Sequence, residues 1–302
     1  MKIIQTYWSK PSLKKNLLHM DDRHNGGWIS PKDHYLSWAL SCLKLTSLYD
    51  KVELYTDEFG YHILLDILKL PYTKVHVGLD NSLNSEFLHE DFWTLGKIFC
   101  YGIQDEPFIH VDSDIYIWEK FSERLSNSQL LVQNLEINHD FYFEVVNLMK
   151  ENFQLPKWII PMLNREKIIA ANTGIVGGKN FMFFKNYSKI IFEILETNRE
   201  KLHLINKSLL SITLEQLIMV LLSEIDGYEI SCLLNPNYGN YYDLTTFHLV
   251  SKKTSYIHAI GSNNKKSIAI LFHLENRLRI EFPDYYFYFI SNVQKINSAC
   301  SI

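Results

Sequence analysis

Short apolar runs bounded by polar or glycine residues mark residues 3–7, 51–55, 74–77 and 107–111, and they predict strands. Between them the apolar positions recur every three or four residues, which predicts helices. Ser30-Pro31-Lys32-Asp33 opens one of these, with Ser as N-cap, Pro at the first position and an acid three residues after the cap. Its apolar face carries Tyr35, Trp38, Ala39, Cys42 and Leu45. A second helix runs from the Thr56-Asp57 cap to about residue 68, and a third over about 92–104. Strand alternating with helix argues for a parallel, doubly wound sheet. A polar connection over 9–29 contains Asp21-Asp22-Arg23-His24-Asn25-Gly26-Gly27-Trp28, where Gly-Gly admits backbone conformations closed to other residues.

The second half is less regular. Residues 130–132 read as a strand and 140–153 as a helix. Residues 168–178 read as a strand pair or a bulged strand closed by Gly177-Gly178. Helices follow over 180–198 and 214–222, the latter with Thr213 as N-cap and Gln216 completing a capping box. Residues 256–258 read as a late strand end, and Pro283 breaks the terminal helical region. Without internal repeats or a Pro/Ser-rich linker, one α/β domain over 1–302 is the economical expectation, with a mixed, mostly parallel central sheet flanked by helices.

Hydrophobic residues at 47% against 21% charged give the chain enough apolar surface for a large core and exclude a disordered one. The formal charge of -4, with no dense Lys/Arg patch, speaks against a nucleic-acid partner. Cys42, Cys100, Cys232 and Cys300 are widely spaced and form no C-x-x-C pair, as expected in a reducing cytosol. The N-terminal apolar run is too brief for a signal peptide, and no run approaches the ~20 apolar residues of a membrane span. A cytoplasmic protein is expected, at most peripheral to a membrane.

Asp112-Ser113-Asp114 is the most informative motif. It follows the apolar run Pro107-Phe108-Ile109-His110-Val111, and Ile115-Tyr116-Ile117-Trp118 succeeds it at once. Ligands of open α/β sheets bind beyond the carboxyl ends of strands. Two carboxylates one residue apart at such an end suit Mn²⁺ or Mg²⁺ shared with a substrate diphosphate, the geometry of a nucleotide-sugar transferase. The plain alternative is a solvated acidic loop. His258, at a late strand end, offers a third metal ligand; Gly261 would let backbone approach a phosphate, and a following lysine would pair with it. A turn with a surface histidine explains that segment as well. Lys97 is a candidate for the sugar or diphosphate, or one exposed lysine on an amphipathic helix. Asn172, in Asn172-Thr173-Gly174, can exchange hydrogen bonds with sugar hydroxyls or sit in a β-bulge. Glu215 has no obvious structural task, so it is a candidate for the sugar or acceptor; Gln216 is explained by the capping box. Thr6, Tyr7 and Asp57 follow the first two strands, where a base and ribose would lie, though Asp57 is equally well a helix cap. The chain shows no Walker loop, no H-E-x-x-H and no G-x-G-x-x-G after the first strand.

Taken together, these residues resemble the GT-A glycosyltransferases, and loosely the retaining family of glycogenin and the bacterial galactosyltransferases of lipopolysaccharide assembly. The matching pieces are Asp112-Ser113-Asp114, Asn172-Thr173-Gly174, and His258-x-x-Gly261 with a nearby lysine. The chain also looks like an uncharacterised bacterial group of that fold, through Gly26-Gly27-Trp28 and Trp93-x-Leu95-Gly96-Lys97. The resemblance implies a GT-A-like domain with a nucleotide-binding half over 1–125 and a sugar and acceptor half over 126–302. It implies a nucleotide-sugar donor, commonly a UDP-sugar, docked at Asp112 and Ser113. Mn²⁺ or Mg²⁺ would be held by Asp112, Asp114 and His258, and Lys97 and Lys265 or Lys266 would lie near the diphosphate. On the acceptor side stand Glu215 and Gln216, with Asn172 at the floor of the sugar site, and the acceptor would be a glycan, a lipid-linked sugar or a peptide. The family's last motif usually places Lys six residues after the His, followed by Pro-Trp. Here that position is Asn264, Lys265 follows it, and there is no Pro-Trp; Glu215 stands where Asp is usual. The rival expectations are a nucleotidyltransferase and a non-catalytic sugar- or protein-binding member of the fold.

Overall fold

The computed structural model describes residues 1–13, 24–83, 91–234 and 241–300, so Asp21-Asp22-Arg23 lie outside the described residues. Among the described residues the strands are β1 (Lys2–Tyr7), β2 (Val52–Thr56), β3 (Lys74–Val77), β4 (Phe108–Val111), β5 (Ile115–Ile117), β6 (Leu130–Ile137), β7 (Ile169–Gly178), β8 (Ile230–Cys232) and β9 (Tyr256–His258). The architecture is α/β, with seven strands of mixed, mostly parallel sheet flanked by helices. The chain divides into two compact units, neither continuous in sequence. One comprises Ile3–Ser82, Val111–Lys120 and Asn240–Ile302; the other comprises Met1–Lys2, Leu83–His110 and Phe121–Gly239.

In the unit that begins at Ile3, sheet strands lie in the order β3-β2-β1. They are parallel, with Ile3 opposite Val52 and Glu53 opposite Lys74. β2 is buried along its length, as a parallel strand covered on both faces must be. The Pro31–Leu48 helix begins as its sequence dictates: Asp33 N donates to Ser30 Oγ (3.2 Å), and Ser30 Oγ donates back to Asp33 Oδ2 (2.6 Å). Its predicted apolar face is buried, and so are Leu36, Leu40 and Leu43. The Ile268–Glu281 and Pro283–Ala299 helices pack against it and enclose the other side. Pro283 takes the first position of the last helix after the break at Phe282. β5 and β9 form a separate antiparallel ribbon in which Ile115 faces His258.

In the other unit the sheet order is β4-β7-β6-β8. β6 and β7 are antiparallel, and their register shifts: Val132 faces Val176, whereas Asn134 faces Asn172. The extra β7 residues form a bulge, held by Gly174 N donating to Asn172 Oδ1 (3.1 Å), so 168–178 is a bulged strand and not a strand pair. Gly178 closes it at φ +140°, and a Cβ there would stand 2.1 Å from the Gln129 carbonyl oxygen. The helix expected over 214–222 instead spans Lys207–Ile225, with Asn206 as N-cap accepting from Leu209 N (3.1 Å). Thr213 is therefore interior, and the capping box with Gln216 does not form. Asn206 is at least as good a cap, and nothing in residues 207–212 stops a helix. This helix is long and apolar enough to cross a membrane, but 67% of its apolar window is buried, and it packs on β7. The Leu95–Gly102 helix starts later than residue 92, and the Thr94 amide at its cap donates to Ser211 Oγ (3.1 Å). All four cysteines are free thiols.

Candidate functional site

The Asp112-Ser113-Asp114 turn is fixed by residues of its own unit. Gln5 Nε2 donates to the Val111 carbonyl (3.2 Å), and Gln5 is itself held by Ser41 Oγ (3.0 Å) and by Tyr72 OH (2.8 Å). Ser37 Oγ donates to the Ser113 carbonyl (2.8 Å) and lies 2.7 Å from Tyr116 OH. Ala259 N donates to the Asp114 carbonyl (2.9 Å), extending the β5–β9 ribbon by one step. A turn tied at the carbonyls of Val111, Ser113 and Asp114 has little freedom, so its side chains are preorganised.

The ribbon also delivers the partners of Asp114. Since His258 faces Ile115, its Nε2 lies 3.5 Å from Asp114 Oδ1. Gly261, at φ +79°, turns the chain into the short Gly261–Lys265 helix. That helix ends with Lys265 Nζ 2.8 Å from Asp114 Oδ2. Asn264, at the position where the resemblance places lysine, donates from Nδ2 to the Ile260 carbonyl (2.8 Å) as a local brace. Lys265 is thus the lysine that reaches the turn. Asp114, His258 and Lys265 are all buried, while Asp112 and Ser113 are half-buried. Burial opposes charge on Asp114, but Lys265 and then His258 outweigh it and hold the carboxyl well below the usual carboxylate range.

Lys265 makes a second set of contacts. Its Nζ donates to the Gly26 carbonyl (2.9 Å) and stands 5.8 Å from the centre of the Trp28 ring. The backbone there is left-handed at Asn25 (φ 53°), Gly26 (φ 62°) and Gly27 (φ 85°). Gly26 is required for space as well, because a Cβ would lie 2.5 Å from His34 Nδ1. His34 is buried, and neither of its ring nitrogens has a hydrogen-bond partner among the described residues.

Burial, then the charge of Lys265, push the His34 pKa down to about 3. In the other unit, burial and then Lys97 hold His110 well below the usual histidine value. Unfolded histidines titrate near ~6.5. Below that pH the unfolded chain binds protons that the folded chain refuses, so stability falls by roughly 1 kcal/mol per pH unit for each histidine until the folded pKa is reached. The expected result is a urea midpoint that drops steadily from pH 7 to pH 5, with a shallower slope in His34→Gln. Equal slopes in the two proteins would contradict a buried neutral His34.

The remaining candidates have partners of their own. Tyr7 is buried, and its hydroxyl lies 2.9 Å from Ser12 Oγ and 2.7 Å from Tyr35 OH. Asp57 is buried and caps its helix: Oδ1 accepts from Gly60 N (2.7 Å), and Oδ2 accepts from Ser9 N (2.6 Å) and Ser9 Oγ (2.8 Å). Thr6 is half-buried, with no hydrogen-bond partner for Oγ1 among the described residues. In the other unit, Lys97 and Glu215 form an ion pair at 3.0 Å, Lys97 Nζ donates to the Thr173 carbonyl (3.4 Å), and Tyr101 OH donates to Glu215 Oε1 (3.2 Å). Asn172 Nδ2 donates to Glu136 Oε1 (2.9 Å), Tyr142 OH to Glu136 Oε2 (3.0 Å), and Tyr142 also meets Gln216 Oε1.

His34, Ser37, Tyr116, Glu136 and Tyr142 went unrecognised in the sequence. His34, Ser37 and Ser41 had a readable signal: they are polar positions at helical spacing on a helix otherwise rich in apolar residues. Glu136 had none, being one acid in a strand.

Two carboxylates and an imidazole are ligands that Mn²⁺, and less readily Mg²⁺, accepts, so the donor chemistry of Asp112, Asp114 and His258 fits the implied cation. Among the described residues no three His, Cys, Asp or Glu side chains are gathered closely enough to hold an ion. The Lys265 ammonium stands at Asp114 Oδ2 instead.

Among solved structures, the chain is similar to a galactosyltransferase, LgtC, in complex with donor and acceptor sugar analogues: 11% identity over 86% of this chain and 87% of that one, TM-score 0.42. It is similar to the glycosyltransferase GlyE of Streptococcus pneumoniae TIGR4: 10% identity, 97% of this chain and 63% of that one, TM-score 0.45. It is also similar to mouse xyloside xylosyltransferase 1: 12% identity, 77% of this chain and 84% of that one, TM-score 0.36. No curated protein matches its sequence. The family described as a family of unknown function (DUF6734) matches residues 1–292, and the chain belongs to that family.

Proposed function

We propose that this protein is a metal-dependent glycosyltransferase that moves a sugar from a nucleotide-sugar, a UDP-sugar by its resemblance, to an acceptor hydroxyl. The observation that carries this reading is the gathering of Asp114, His258 and Lys265 beside a braced turn at the carboxyl end of β4. An acid and an imidazole able to share a divalent cation, with an ammonium beside them at a strand end, suit a metal-bound diphosphate. Asp112, Asp114 and His258 are the residues that would hold Mn²⁺ or Mg²⁺, which when bound would neutralise charge on the leaving nucleoside diphosphate. Lys265 adds a positive charge on the same side. The Ser37, Tyr116 and Gln5 contacts keep the turn from relaxing as the ligand's charge changes.

Retention of configuration is the stereochemical outcome we infer. Inversion needs a carboxylate base for the acceptor hydroxyl. Glu215, the sequence candidate, is only 1% exposed and is committed to Lys97 and Tyr101. When attack comes from the face the diphosphate leaves, the departing phosphate oxygen takes the proton and no protein base is needed.

The test is a thermal-shift panel of nucleoside diphosphates and nucleotide-sugars, each with Mn²⁺ and with EDTA. A ligand at 100 times its Kd stabilises the folded state by about 2.7 kcal/mol. A shift with one nucleotide that needs Mn²⁺, followed by sugar release from the matching donor, is the expected result. A nucleotide shift without turnover of any donor would favour the non-catalytic binding member.

A further inference from the structure

We infer that Lys265 is a tethered counter-ion that competes with the divalent cation for Asp114, and that binding of the cation unties the Gly26-Gly27 backbone from the acidic turn. The inference rests on the metal reading above. Among the described residues, Asp114 Oδ2 meets the Lys265 ammonium at 2.8 Å, and both groups are buried. A divalent ion on the same oxygen would sit within a few ångströms of that ammonium, where like charges in a poorly solvated site repel strongly. The two cations therefore exclude each other at Oδ2.

Displacing the ammonium has a structural consequence. Lys265 Nζ also donates to the Gly26 carbonyl, and its stem lies against Gly27, with Cδ 3.5 Å from where a Gly27 Cβ would be. Its charge faces the Trp28 ring. One side chain thus ties the left-handed Asn25-Gly26-Gly27 backbone to the acidic turn. A divalent ion at Asp114 Oδ2 also repels the ammonium from the Gly26 carbonyl, because the same Nζ sits within hydrogen-bond distance of both oxygens. The freed ammonium is then available to an incoming phosphate, and the Gly26 and Gly27 backbone is free to approach it.

The experiment compares wild type with Lys265→Met, which keeps the stem and removes the charge. Mn²⁺ binding is followed by the EPR signal of the free ion, without nucleotide. Removing the competitor should tighten Mn²⁺ binding by about tenfold or more. In parallel, Mg²⁺ added to wild type should change the tryptophan emission, and Trp28→Phe should abolish that change. Should Lys265→Met fold poorly, Lys265→Arg serves instead: a longer, forked cation at Asp114 should weaken Mn²⁺ binding relative to wild type. Equal Mn²⁺ affinity in wild type and both variants overturns the exchange and leaves the metal reading standing. No Mn²⁺ binding by any of the three proteins overturns the metal reading and the exchange together.

Discussion

Under the proposed function, Asp114→Ala is expected to reduce kcat/KM for sugar transfer by about a hundred- to a thousandfold, the loss seen when one preorganised electrostatic group is removed from the place where charge develops. The same variant should lose the Mn²⁺-dependent nucleotide shift. Asp114 accepts from Lys265 and faces His258 inside the protein, so its removal also strands a buried ammonium. Breaking a buried pair in this way destabilises by about 3–5 kcal/mol. Lys265 keeps its bond to the Gly26 carbonyl, which places the effect at the lower end of that range. Asp114→Asn separates the two consequences. It keeps the shape and one acceptor oxygen, so it should melt closer to wild type and still fail to bind donor with Mn²⁺. Asp112→Ala, at the half-buried acid of the same turn, should lose as much donor binding. Full transfer activity in Asp114→Asn would end the assignment of this turn as the donor site.

Glu215→Ala should destabilise the protein by about 3–5 kcal/mol, read as a lower urea midpoint at an unchanged slope. Lys97 and Glu215 are 9% and 1% exposed and pair at 3.0 Å, so neither has water to fall back on when the other is removed. Glu215 also accepts from Tyr101 OH, and its own carbonyl accepts from Tyr187 OH (2.6 Å), so its helix turn is anchored at both side chain and backbone. The double variant Lys97→Met/Glu215→Leu should recover most of the loss, since two apolar side chains of similar volume need no charge partner. A Glu215→Ala midpoint within error of wild type would mean that the pair carries no net stability. An additive double variant would mean that the two side chains do not interact.

Much of the fold is legible because it is locally encoded. Ser30-Pro31-Lys32-Asp33 starts a helix with its own side chains and a fixed φ, and the structure shows that cap in place. The apolar runs at β1, β2 and β4 reflect strands buried on both faces, which leaves no alternation to confuse with a surface strand, whereas β3 is a partly exposed edge. Local reading fails where two local answers compete. Asn206 and Thr213 are both good caps, and the earlier one prevails because nothing between them stops a helix. It fails too on the Pro31–Leu48 helix, whose second apolar side is explained only by the C-terminal helices that cover it.

By itself the sequence determined the order of the main strands and helices, though not β8, the acidic pair after β4, and the glycines where the backbone turns left-handed, because each depends on residues a few positions apart. Tertiary structure alone decided which candidates meet. Pairing of β5 with β9 brings His258 to Asp114, and the short helix after Gly261 points Lys265, rather than Asn264, at the same carboxylate. Packing on β7 turns Lys97 and Glu215 from two separate candidates into one buried pair. The physical reason is common to all three: an ion pair between residues far apart in the chain has no period or spacing to mark it. It exists only once burial has removed the water that would otherwise answer each charge.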